Sequence, residues 1–67
     1  MTDKTEKRAE AIQRAAEYRE IAANYESLSE EAQRKGDSEM SIEFARKAAE
    51  EAIEASRIEA GVAELGE

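Results

Sequence analysis

The groups in this 67-residue chain best able to do chemistry are its carboxylates, 17 Asp and Glu set against 10 Lys and Arg, with no His and no Cys. Glu50, Glu51, Glu54 and Glu59 cluster in the second half. Paired carboxylates can serve as general acid and base. At helical spacing, however, Glu50 and Glu54 fall on an outer face, where both stay solvated. Helix-borne dimetal sites combine such acids with Glu-x-x-His, which a chain without His cannot supply. The serines have no neighbouring base to activate them. Structural zinc wants Cys or His, and no phosphate-binding glycine loop or EF-hand pattern occurs. The expectation is a non-enzyme with no catalytic, cofactor-binding or metal residues and no small-molecule substrate.

The remaining use of these acids is as a field. Residues 1–35 carry 8 acids and 7 bases, a balance of -1; residues 36–67 carry 9 acids and 3 bases, a balance of -6. Such a surface repels phosphate backbones, which disfavours direct nucleic-acid binding. The patch Glu50, Glu51, Glu54 and Glu59, continued by Glu64 and Glu67 against Arg57, has two readings. It keeps an apolar helix soluble, or it steers the chain onto a basic, nucleic-acid-binding surface as a small inhibitor.

The elements that must carry these groups are helices. Ala and Glu dominate, Pro is absent, and Gly36 is the first glycine, so strong helix formers run unbroken for half the chain. Thr2 or Asp3 is placed to cap the first helix, Asp3 and Glu6 having capping-box spacing. An apolar stripe follows at Ala11, Ala15, Tyr18, Ile21, Ala22, Tyr25, Leu28 and Ala32. Within it Tyr18–Ile21–Tyr25–Leu28–Ala32 alternates steps of three and four, the seam of a paired helix. Asp3–Lys7, Glu10–Arg14, Glu30–Arg34 and Glu31–Lys35 are acid-before-base pairs one turn apart. Gly36 suits the left-handed position that ends a helix, and Asp37 or Ser38 the cap that starts the next. The expected organisation is one all-α domain over 1–67, an antiparallel helical hairpin. Helix 1 covers about 3–35, the turn 36–37, helix 2 about 38–60, and a frayed tail 61–67. A break near residues 24–28, where Asn24, Ser27 and Ser29 are possible caps, would give three helices instead.

Helix 2 carries two apolar faces. Ser41, Phe44, Ala45, Ala48, Ala52 and Ala55 share the face that matches helix 1, extended by Val62 and Leu65 if the helix persists. Ile42, Ala49, Ile53 and Ala60 lie roughly 120° away, and Ile12 and Ala23 fall off the seam of helix 1 in the same manner, though more weakly. A hairpin covers only one stripe of each helix. Leaving Ile42 and Ile53 in water forgoes about 1.5–3 kcal/mol each, a large fraction of what so short a chain can muster. Disulfides and structural zinc are excluded by composition, and the large core anchors are limited to Tyr18, Tyr25 and Phe44. The tyrosines serve either as packing rings with boundary hydroxyls or as a recognition pair. Added buried area must come from outside the chain. The expected interface is Ile42, Ala49, Ile53, Ala60 and Ile12, covered by a second copy that completes a dimeric bundle or by another protein.

The stretch from Lys35 to Glu50 resembles the turn and second helix of a tetratricopeptide-type repeat. Tyr25, Leu28 and Ser29 fall where that motif wants an aromatic, a leucine and a small residue, and Ser41 and Ala48 at its small second-helix positions. The resemblance covers about residues 22–55 and implies peptide or protein binding through helix surfaces. It departs at Ala32 and Ala45, where the family prefers bulky aromatics, and it lacks the terminal proline and the further copies such repeats use. No apolar run is long enough for a transmembrane helix or signal peptide, so the expected location is cytoplasmic.

Overall fold

Uninterrupted helix formers up to Arg34 give a single helix, α1 (Thr2–Arg34), and after a short turn a second, α2 (Ser38–Leu65). The computed structural model describes residues 2–65, with side chains for 4–64. The expected cap at Thr2 or Asp3 and the Asp3–Lys7 pair depend on side chains outside that range. The helices pack antiparallel as a thin rod, with Cα extents of 53 × 14 × 10 Å. No described residue forms a strand, and the three-helix alternative is not adopted.

The turn is built from local chemistry. Gly36 takes φ +82°, a left-handed conformation that Cβ-bearing residues pay for. The Asp37 N–H donates to the Ala32 carbonyl (2.8 Å) and the Gly36 N–H to the Gln33 carbonyl (3.1 Å), so the last carbonyls of α1 are satisfied. Asp37 then opens α2. Its carboxylate accepts the Met40 N–H at 3.2 Å and its carbonyl the Ser41 N–H at 3.0 Å, which makes Asp37 the N-cap. Glu39 in the first turn of α2 and Arg34 in the last turn of α1 complement the helix dipoles. Of the expected one-turn pairs, Glu31–Lys35 closes at 3.2 Å; Glu10–Arg14 and Glu30–Arg34 do not come within bridging distance.

The buried core is alanine alone: among the described residues Ala15, Ala22, Ala32, Ala48 and Ala55. On α1 the inward track is Ala11–Ala15–Tyr18–Ala22–Tyr25–Ser29–Ala32, which corrects the expected seam. Ile21 and Leu28 remain 41 % exposed. The reason lies two turns toward the N-terminus, where a seam through Ile21 and Leu28 would meet Arg14, while the observed one keeps alternating through Ala15. On α2 the inward track is Ser41–Phe44–Ala48–Glu51–Ala55–Ile58–Val62, with Ala52 beside it. Ala45, expected inside, is exposed. Ile58, unassigned from sequence, is half-buried. Small residues on α1 give room for Phe44 and Ile58, and a mostly alanine seam lets the helix axes approach closely.

Two contacts set the register. Ser29 Oγ donates to the Ser41 carbonyl at 2.7 Å and lies 3.2 Å from Ser41 Oγ. Ser29 has spent its proton on that carbonyl, so the Ser41 hydroxyl donates in return. One turn further from the bend, the Tyr25 and Phe44 rings stack at 6.1 Å and 26°, with Lys47 Nζ 5.9 Å from the Tyr25 centroid. An unbroken α1 is needed to hold Tyr25 and Ser29 on one track.

Helix 2 does not fray at Gly61 as expected; it continues to Leu65. Val62, half-buried on the seam, offsets the roughly 1 kcal/mol a helical glycine costs. A Cβ placed on Gly61 meets nothing within 4 Å. Gly61→Ala is therefore expected to raise stability by about 0.5–1 kcal/mol, read as a higher urea midpoint with unchanged slope.

Candidate functional site

A two-helix layer has two broad faces, and both carry apolar side chains. On one, Ile21, Leu28 and Met40 are exposed by 41 %, 41 % and 38 %. There a groove of about 360 Å³ runs between Leu28, Ala32, Met40 and Phe44, flanked by Lys35 and Glu31. Ile12 at 53 % and Ile42 at 62 % are turned toward the opposite side, and Ile53 at 53 % stands on the outer edge of α2.

Heptad rows place that second face. On α1, Ile12, Arg19 and Glu26 repeat every seventh residue, as do Ala16, Ala23 and Glu30. On α2 the corresponding rows are Ala45, Ala52 and Glu59, then Ile42, Ala49 and Ser56, while Arg46, Ile53 and Ala60 lie opposite the seam along the outer edge of the helix. A groove of about 320 Å³ lined by Glu26, Ser29, Glu30, Ala45, Ala48, Ala49 and Ala52 marks the line where the two sets meet. All five expected interface residues, Ile12, Ile42, Ala49, Ile53 and Ala60, are exposed. The structure adds Ala16, Ala45 and Ala52, which with the expected Ala23 widen a narrow stripe into a floor of small side chains.

One polar device crosses this face. Arg19 grips Glu59 with both ends of its guanidinium, Nε to Oε2 at 2.9 Å and Nη2 to Oε1 at 2.6 Å. This fork-to-carboxylate pairing ties the open end of the hairpin. The hydrogen bond from Arg19 holds the Glu59 carboxyl below the usual glutamate range, and the same bond raises Arg19. Both side chains are half exposed (49 % each), so solvent discounts the bridge's worth. Because the folded-state pKa of Glu59 is depressed, its contribution is complete above the ordinary value of 4.5 and fades as pH falls below it. Glu59→Gln should thus lower the melting temperature slightly at pH 7 and remove the same small amount from its fall between about pH 5 and 3, so that the two chains' melts converge at low pH, measured by thermal melts across that range.

The acidic patch is less free than its sequence suggests. Glu59 is engaged by Arg19, Glu54 accepts from Arg57 at 3.2 Å, and Glu51 sits half-buried on the seam. Glu50 remains on the outer face. The Arg19–Glu59 bridge has no local signature, since nothing near either residue fixes which α2 acid stands over Arg19.

No described helix is long and apolar enough to cross a membrane. Compared with known proteins, the chain matches no family model, no curated protein and no solved structure.

Proposed function

We propose that the hairpin is a non-enzymatic protein-interaction module that docks on other protein surface through Ile12, Ile42, Ala49, Ile53 and Ala60. The observation carrying this reading is a mismatch between what the hairpin buries and what it leaves in water. Its buried core holds only alanines among the described residues, while its larger aliphatic side chains Ile12, Ile42 and Ile53 are more than half exposed. The area supports the same reading. A compact particle of 7.4 kDa exposes about 4,200 Å², against 5248 Å² for this chain. The radius of gyration is 15.4 Å, against about 11 Å for a compact domain of this length. Apolar patches of this kind mark interaction sites on small proteins.

The acidic patch offers a weaker route to a basic partner, since two of its four carboxylates already have partners within the chain. The two modes respond oppositely to salt. Charge-steered docking weakens as ionic strength rises; burial of isoleucine on alanine does not. The reading is tested by replacing Ile42 and Ile53 together with Glu and following association by sedimentation at low and high salt.

A further inference from the structure

We draw no further inference here: the strongest candidate, the apolar groove beside the turn between Leu28, Ala32, Met40 and Phe44, is an unpartnered face, and nothing in the structure shows what covers it.

Discussion

Ile42→Glu combined with Ile53→Glu is expected to weaken association by about a thousandfold or more while leaving the hairpin's own packing intact. In the single chain these side chains are 62 % and 53 % exposed, so neither contributes much to the α1–α2 seam. Substituting them removes little that holds the hairpin together. In a dimer four isoleucines leave the interface, each worth about 1.5–3 kcal/mol when fully buried. Even partial burial amounts to several factors of ten in the dissociation constant. The readout is a sedimentation mass distribution, expected to move from that of the native chain toward 7.4 kDa. Glu also adds charge to a chain already at -7, so Ile42→Gln with Ile53→Gln serves as the neutral comparison and should shift the equilibrium the same way. An unchanged mass distribution in both variants would remove this face from the account.

The second large effect is expected at Ala55, the most completely buried residue at 0 % exposure. Ala55→Leu should destabilise the fold by about 1–3 kcal/mol, because added methylenes must push the helices apart or force strained rotamers. In a domain this small that corresponds to a melting temperature lower by about 5–20 °C. Leucine and alanine have similar helix propensities, so the loss would report packing across the seam. Ala9→Leu, on the exposed face of α1, should leave the melt nearly unmoved. Equal melts for the two variants would mean that the helices are not held at alanine distance.

Local chemistry made part of this fold legible. Gly36 and Asp37 announce a left-handed stop and a carboxylate cap, and both act as their types predict. The outward face of α2 could also be read, because Ile42, Ala49, Ile53 and Ala60 sit at angles that a single partner helix cannot reach. The α1 seam follows continuity of small residues and not side-chain size. Ile21 and Leu28 look like core, yet their track meets Arg14, while the one through Ala15, Ala22 and Ser29 is free of charge from Ala11 to Ala32. Ile58 escaped notice because its track on α2 passes through Glu51, a residue that reads as surface. The Arg19–Glu59 clasp joins residues 40 apart and depends on a register that no local pattern encodes. The extension through Gly61 is legible as one of two outcomes, since Val62 and Leu65 fall on the seam face while glycine favours fraying; packing of Val62 decides between them.

The claim beneath all of this is that the pair of helices cannot stand alone on an alanine core. Helicity of the native chain, followed by circular dichroism together with sedimentation mass as the sample is diluted from millimolar to submicromolar, tests it most directly. Helix content and associated mass are expected to be lost over the same concentration range. A chain that stays fully helical at monomer mass throughout, and melts sharply there, would contradict it.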